Sequence, residues 1–300
     1  MDIVVKKHFE SKGHRSPVYG LAHYVSGQIL SGGGEGWITS WDIADPENGR
    51  LIAQADTSVF CLNYFEPAKL ILAGDRNGVL YFIENTGNVV KKYAHQGEIF
   101  ALNVVGEYLY SIGKDGWLVK WDLHRMDALQ SIQLSYTSLR SFVHSEKSGK
   151  AYIGDSNGIV HILDLDTMAS LLNFQAHDST VFSLELNEQN KLISGGKDAH
   201  LRLWDTDKFT HPLVDHPAHW FSVYAIRRHP TLPVIATASR DKQIRIWNAD
   251  NIEPILTLGY EKYQGHIRSV NNLLWTDNGR YLVSAGDDAV IIFWEFDYFQ

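Results

Sequence analysis

The chain has 300 residues, of which 44% are hydrophobic and 21% charged, a composition that excludes intrinsic disorder and allows a large buried core. Its formal net charge of −8 argues against a protein that binds nucleic acid through a general basic surface. The single cysteine, Cys61, excludes an internal disulfide and fits a reducing compartment. No apolar stretch is long enough for a signal peptide or a membrane span, so we expect a cytoplasmic protein without membrane contact.

A strand template recurs along the chain. An acidic turn residue is followed, six positions later, by tryptophan, with an alternating strand between them. The full copies are EGWITSWD, DGWLVKWD, DAHLRLWD, DKQIRIWN and DAVIIFWE, with Trp41, Trp121, Trp204, Trp247 and Trp294. Two weaker copies, NGVLYFIE and NGIVHILD, place Ile83 and Leu163 at the tryptophan position. Successive copies are 38 to 47 residues apart, which fits the roughly 40–45 residues of a four-stranded propeller blade.

A second mark precedes each full copy. The segments GHRSPV, AHQGEI, AHDSTV, AHWFSV and GHIRSV each place a histidine four residues before an aliphatic residue. Together the two marks resemble the WD-repeat family over essentially the whole chain. The resemblance implies an all-β, seven-bladed β-propeller of four-stranded antiparallel blades, forming one domain over residues 1–300. Such a chain is similar to the stand-alone WD-repeat proteins of bacteria.

The resemblance also implies how the ring closes. In this family the last repeat lacks the outer strand of its blade, and the segment IVVKKHF (3–9) precedes the first histidine mark. We therefore expect residues 3–9 to complete blade 7, which leaves only protected sheet edges.

Each full repeat carries a histidine, a Ser or Thr, an acidic residue and the tryptophan, which the resemblance links in one hydrogen-bonded chain. The sets are His14, Ser31, Glu35, Trp41; His95, Ser111, Asp115, Trp121; His177, Ser194, Asp198, Trp204; His219, Thr237, Asp241, Trp247; and His266, Ser284, Asp288, Trp294. We interpret them as structural, because a set that recurs in five blades does not single out one catalytic site. Blade 2 (Ala55, Ala73, Asn77, Ile83) and blade 4 (Ser135, Ile153, Asn157, Leu163) lack the set. The sequence predicts that their polar network is lost, since a half-satisfied network is worse than an apolar core.

Two sets of equivalent positions are expected on the face that carries the loops entering each blade, here called the top face. The residues after the aliphatic mark are Tyr19, Phe60, Phe100, Arg140, Phe182, Tyr224 and Asn271. The residues before the acidic turn position are Gly34, Arg76, Lys114, Ser156, Lys197, Arg240 and Asp287. Aromatic and arginine side chains dominate binding energies at interfaces. The competing interpretation is that the rings pack between blades and that the cations lie on ordinary solvated turns.

These features predict a non-catalytic, monomeric scaffold, without cofactor or metal, that binds a protein or peptide around the central channel. An acidic or phosphorylated partner would suit the cations at Arg76, Lys114, Arg140, Lys197 and Arg240. One alternative is single-stranded RNA, which could stack on the aromatic residues. A second is a small-molecule or enzymatic site in the channel. The segment HPLVDHPAHW (211–220) collects three histidines and an aspartate, but its irregular spacing argues against a zinc site.

Overall fold

The computed structural model describes residues 2–299, with side chains over residues 3–298. Seven four-stranded antiparallel sheets form the blades of a ring. From the inside outward, blade 1 consists of β2 (Val18–His23), β3 (Gln28–Gly33), β4 (Trp37–Asp42) and β5 (Asp45–Gln54). Blade 2 consists of β6 (Val59–Phe65), β7 (Leu70–Asp75), β8 (Val79–Glu84) and β9 (Val89–Tyr93). Blade 3 consists of β10 (Ile99–Val105), β11 (Tyr108–Gly113), β12 (Trp117–Asp122) and β13 (Asp127–Gln133). Blade 4 consists of β14 (Leu139–His144), β15 (Lys150–Asp155), β16 (Ile159–Asp164) and β17 (Ser170–Gln175). Blade 5 consists of β18 (Val181–Leu186), β19 (Leu192–Gly196), β20 (His200–Trp204) and β21 (Val214–Pro217). Blade 6 consists of β22 (Val223–Arg228), β23 (Val234–Ser239), β24 (Ile244–Asn248) and β25 (Pro254–Leu258).

Blade 7 joins the two ends of the chain. It comprises β26 (Val270–Thr276), β27 (Tyr281–Gly286), β28 (Val290–Phe299) and, outermost, β1 (Asp2–Lys12). In the antiparallel pairing of β1 with β28, Lys6 lies opposite Glu295, and their side chains form an ion pair at 2.8 Å. The predicted seven blades and the predicted closure by the N-terminal strand are both confirmed.

Burial explains the strand sequences. The second strand of each blade is packed on both faces, and β7 and β23, for example, are buried at every residue. Such strands need apolar or small residues on both faces rather than strict alternation. The outer strands β13 and β17 are mostly exposed and polar. The apolar clusters therefore lie between adjacent blades, as between the strands of blades 6 and 7 around Trp275 and Trp294.

Helical structure is confined to short connections. These are α1 (Tyr260–Tyr263) and two 3-10 turns at Glu66–Ala68 and Asp277–Gly279. None of the helices within residues 2–299 is long and apolar enough to cross a bilayer.

Candidate functional site

Each blade with a full repeat holds a chain of four hydrogen-bonded side chains, here called a tetrad. In blade 5 the Trp204 indole donates to the Ser194 hydroxyl at 2.9 Å, and that hydroxyl lies 2.8 Å from Nε2 of His177. Nδ1 of His177 lies 2.9 Å from Oδ1 of Asp198. Blades 1, 3, 6 and 7 repeat these three contacts within 2.5–3.0 Å. Because the carboxylate can only accept, the histidine proton is assigned to Nδ1, and the hydroxyl, which accepts from the indole, then donates to Nε2.

Burial separates the tetrads from any substrate. The hydroxyl residues Ser31, Ser111, Ser194, Thr237 and Ser284 have no exposed surface. Burial opposes ionisation of the tetrad carboxylates, but hydrogen bonds from the histidine and from backbone N–H groups hold the pKa values of Asp115, Asp198, Asp241 and Asp288 below their usual range. A nucleophilic hydroxyl must reach its substrate, so this geometry suits stabilisation of the blades.

Blades 2 and 4 contain a different polar network, which the sequence analysis missed. In blade 2 the buried Asp75 accepts hydrogen bonds from the backbone N–H groups of Asn77 and Val79 and from the Tyr81 hydroxyl, at 2.8–3.0 Å. The expectation that the polar network is lost in these blades is therefore wrong, because a carboxylate two residues upstream of the usual acidic position replaces it.

Blade 4 repeats this arrangement around Asp155. Its carboxylate accepts from Ser135 at 2.8 Å, from the backbone N–H groups of Asn157 and Ile159 at 2.9 Å, and lies 3.2 Å from Nε2 of His161. Burial raises the pKa of Asp155, but these hydrogen bonds outweigh that effect and hold the pKa below its usual range. Asp155 is therefore stabilised as a buried carboxylate.

Seven equivalent residues at the start of the innermost strands surround the top of the central channel. This mouth ring consists of Tyr19, Phe60, Phe100, Arg140, Phe182, Tyr224 and Asn271, all half-buried, and it lines a cavity of about 850 Å³. The Tyr19 and Phe60 ring centroids are 5.0 Å apart, and those of Phe60 and Phe100 are 6.0 Å apart. Phe182 meets Tyr224 edge-on at 5.2 Å. The rings thus pack against neighbouring blades on one side and face the cavity on the other.

The two remaining members fill the gaps in the aromatic ring. Cζ of Arg140 lies 3.6 Å from the Phe100 ring centroid and 5.2 Å from that of Phe182. The Asn271 amide donates to the Val18 carbonyl at 3.1 Å and to Asp287 at 2.8 Å. Contacts therefore connect blades 1 to 6 through aromatic rings and one guanidinium, and connect blade 7 to blade 1 through an amide.

Backbone hydrogen bonds fix the second set of positions beside the mouth ring. In each blade the backbone N–H of a residue in this second set donates to the carbonyl of the residue two positions before the mouth-ring residue, at 2.8–3.2 Å. The donors are Gly34, Arg76, Lys114, Ser156, Lys197, Arg240 and Asp287. The side chains of Arg76, Lys114, Lys197 and Arg240 are exposed, and Lys114 pairs with Glu98 at 3.1 Å. Both sets of sequence-predicted positions consequently lie on one face.

Sequence reasoning missed an exposed apolar patch on this face in blades 6 and 7. Trp220, Phe221 and Ile267 are 79%, 54% and 56% exposed, and they lie in the loops that follow the tetrad histidines. Beside them, Arg240, Lys242 and Arg268 line a groove of about 590 Å³ together with Asp287. A signal was present in the sequence, because Arg15, Asp56, Gln96 and Asp178 are polar at the positions equivalent to Trp220 and Ile267. The core therefore does not require an apolar residue at the position that follows the tetrad histidine.

Comparison with known proteins identifies the repeats. The family model described as WD40 (WD domain, G-beta repeat) matches residues 168–205, 210–248 and 257–295, which contain the third strands and tryptophans of blades 5, 6 and 7. The crystal structure of the WD40 β-propeller domain of Doa1 superposes with a TM-score of 0.87, covering 98% of this chain and 97% of that one at 17% identity. The chain is a seven-bladed β-propeller that carries WD40 repeats in blades 5, 6 and 7.

Curated relatives match part of the chain. The Caenorhabditis elegans ubiquitin fusion degradation protein 3 homolog is 26% identical over 67% of the chain, and human striatin-3 is 28% identical over 49%. The E3 ubiquitin-protein ligase COP1 of Arabidopsis thaliana is 25% identical over 55%. The matched regions make up only 24%, 17% and 24% of those relatives, so the chain matches a small part of each.

The histidine-rich segment 211–220 of the WD40 propeller has other partners. Asp215 pairs with the Arg202 guanidinium at 3.0 Å and with His200 at 2.5 Å, and His219 belongs to the blade 6 tetrad. Within residues 3–298, no group of three or more His, Cys, Asp or Glu side chains is arranged to hold a metal ion.

Proposed function

We propose that this WD40 propeller is a non-catalytic scaffold that binds a partner protein or peptide on its top face, around the channel mouth. The observation that carries the proposal is the mouth ring, a nearly continuous belt of half-buried aromatic rings open to a cavity. In this proposal residues 1–300 act as one domain.

The surroundings of the mouth ring support this role. Large aromatic side chains and arginine supply most of the binding energy at interfaces, above all where a rim excludes water. The exposed Trp220, Phe221 and Ile267 add an apolar patch on the same face, a feature typical of interaction sites. The exposed cations Arg76, Lys197 and Arg240 favour an acidic or phosphorylated partner segment.

The test uses a double variant of the mouth ring, Phe100→Ala with Phe182→Ala. A random peptide-display library is panned on the wild-type propeller, and the affinity of a selected peptide is measured by fluorescence polarisation. We expect the double variant to abolish binding while the melting temperature falls by only a few degrees, because each ring has one side open to the cavity.

The matched control is Leu129→Ala with Leu171→Ala, which removes two apolar side chains that are 49% and 52% exposed on outer strands of adjacent blades. This control is expected to bind the peptide as the wild type does. The proposal fails if the peptide binds the mouth-ring variant as tightly as the wild type. Binding of a single-stranded RNA oligonucleotide that weakens steeply with salt would favour the RNA alternative instead.

A further inference from the structure

Arg140 is the one charged member of the mouth ring. At the equivalent position the other six blades carry five aromatic residues and Asn271. Its guanidinium fills the slot between Phe100 and Phe182, with its Cζ 3.6 and 5.2 Å from the two ring centroids. Aromatic faces attract a cation and remove part of its water, so the two rings hold the guanidinium at the channel mouth.

This guanidinium has no protein anion as a partner. Among residues 3–298, no carboxylate lies within 4 Å of its nitrogens and no acceptor forms a hydrogen bond with it; Glu98 is paired with Lys114 and Asp287 with Asn271. Burial lowers the pKa of Arg140 to about 10, so the group is still a cation at neutral pH. The guanidinium is half-buried between the two rings and has no ion-pair partner, so an anion that enters the channel would find it available for pairing.

We propose that Arg140 determines the specificity of the mouth ring by binding one carboxylate of the partner peptide within the channel. This inference rests on the proposed function, since the peptide that supplies the carboxylate is the partner proposed there. The fork of a guanidinium matches a carboxylate through two parallel hydrogen bonds. The cavity of about 850 Å³ has room for an inserted side chain or chain end.

The surroundings of Arg140 favour a singly charged ligand. Among the described residues that line the cavity, Arg227 is the only other arginine or lysine. Arg227 already donates to the Ile226 carbonyl and to Asn272, at 2.8 and 3.0 Å. One free guanidinium balances one carboxylate, whereas a phosphate group carries about −1.5 to −2 charges. Arg140 already occupies the aromatic slot between Phe100 and Phe182, so an external cation would not find that slot free.

The first experiment follows the Arg140 side-chain Nε–H resonance of the full chain by NMR. The probes are N-acetyl-glutamate α-amide, which models a side-chain carboxylate, and N-acetyl-alanine, which models a C-terminal carboxylate. We expect a saturable shift with one of them, which identifies the source, and none with the glutamine analogue. The proposal is overturned if neither carboxylate shifts the resonance or if inorganic phosphate binds more tightly than both.

The second experiment uses the peptide selected by panning on the wild type. Arg140→Gln and replacement of the peptide carboxylate by an amide should each weaken binding about tenfold or more, and the two changes together should weaken it no further. Arg140→Lys keeps the positive charge but loses the two parallel hydrogen bonds, so it should weaken binding of the peptide less than Arg140→Gln does. The matched control is Arg50→Gln, which removes an exposed arginine on the outer strand β5 and should change the dissociation constant less than twofold.

The outcomes separate the two proposals. If the peptide binds and Arg140→Gln, with an unchanged melting temperature, has no effect, the carboxylate proposal is wrong and the scaffold proposal stands. If the small carboxylates shift the Arg140 resonance but panning selects no peptide, the anion site stands and the scaffold proposal fails. The inference is overturned if panning selects peptides whose binding does not depend on any carboxylate.

Discussion

Blades 1, 3, 5, 6 and 7 differ from blades 2 and 4 in how they place a carboxylate at the same turn. In blades 3, 5, 6 and 7 the tetrad aspartate accepts a hydrogen bond from the backbone N–H two residues later, at or just before the start of the third strand, as Asp115 does from Trp117 at 3.2 Å. In blades 2 and 4 the carboxylate comes from two residues earlier and reaches the equivalent N–H groups of Val79 and Ile159 at 2.8–2.9 Å. Both arrangements satisfy a backbone donor that would otherwise be left unpaired inside the turn.

The space around the histidine explains why the two arrangements do not mix. Blades 2 and 4 carry Asp75 and Asp155 where blades 1, 3, 5 and 7 carry glycine. A Cβ atom on Gly196 would lie 2.3 Å from Nδ1 of His177, so a carboxylate and the tetrad histidine compete for one volume. Blade 6 shows the limit of this rule, since Ser239 fits beside its histidine by turning its hydroxyl to the Phe221 carbonyl at 3.2 Å.

The largest expected effect comes from forcing both arrangements into one blade. Gly196→Asp adds a side chain whose Cβ would lie 2.3 Å from Nδ1 of His177 and 2.5 Å from Oδ1 of Asp198, and it brings a second carboxylate beside that of Asp198. We expect a loss of about 3 kcal/mol or more in the free energy of unfolding, from overpacking and like-charge contact. Urea denaturation of the purified propeller measures it.

The matched control for Gly196→Asp is Gly196→Ser, the residue of blade 6, which should cost much less. Adding His177→Ser, Asp198→Asn and Arg202→His to Gly196→Asp reproduces the residues that surround Asp155 in blade 4 and should recover most of the loss. If the four losses simply add, the two arrangements are not exchangeable units and the comparison is wrong.

Removal of single members of the two networks should give intermediate effects. His177→Ala and Asp155→Ala are each expected to cost about 1–3 kcal/mol, because each leaves buried partners unpaired. Ser135→Ala removes one of the four hydrogen bonds to Asp155 and should cost about 1 kcal/mol. Thermal and urea unfolding of the three variants checks this order. A negligible effect of Asp155→Ala would mean that blade 4 does not depend on its carboxylate.

The sequence predicted the fold because its repeat marks are local. Spacing of the tryptophans set the number of blades, and the lone strand before His14 indicated how the ring closes. The same reasoning failed at Asp75 and Asp155, because it examined only the four tetrad positions and took Asn77 and Asn157 as evidence of a lost network. Asp75 and Asp155 lie two residues before those positions. Their role is recognisable only when it is known that their side chains occupy the volume that the tetrad histidine fills in other blades. Trp220 and Ile267 were missed because only the repeat marks were compared between blades, although the polar residues at four equivalent positions distinguish them.

The smallest expected effects are in the pH dependence of stability, where the histidine of one tetrad and the carboxylate of blade 4 contribute in different pH windows. Burial lowers the pKa of His219 in blade 6, so the unfolded chain takes up that proton first. The stability contributed by neutral His219 is therefore full above the unfolded value of about 6.5 and is lost as the pH falls through the lower folded value. Asp155 of blade 4 also has a lowered pKa, and its contribution is full above about pH 3.9 and is lost only in stronger acid. His219→Gln should flatten the stability curve below about pH 6.5, and Asp155→Asn should flatten it only below about pH 4. Urea unfolding at closely spaced pH values from 7.5 to about 3 measures both, and loss of the same pH segment in both variants would contradict the assignment.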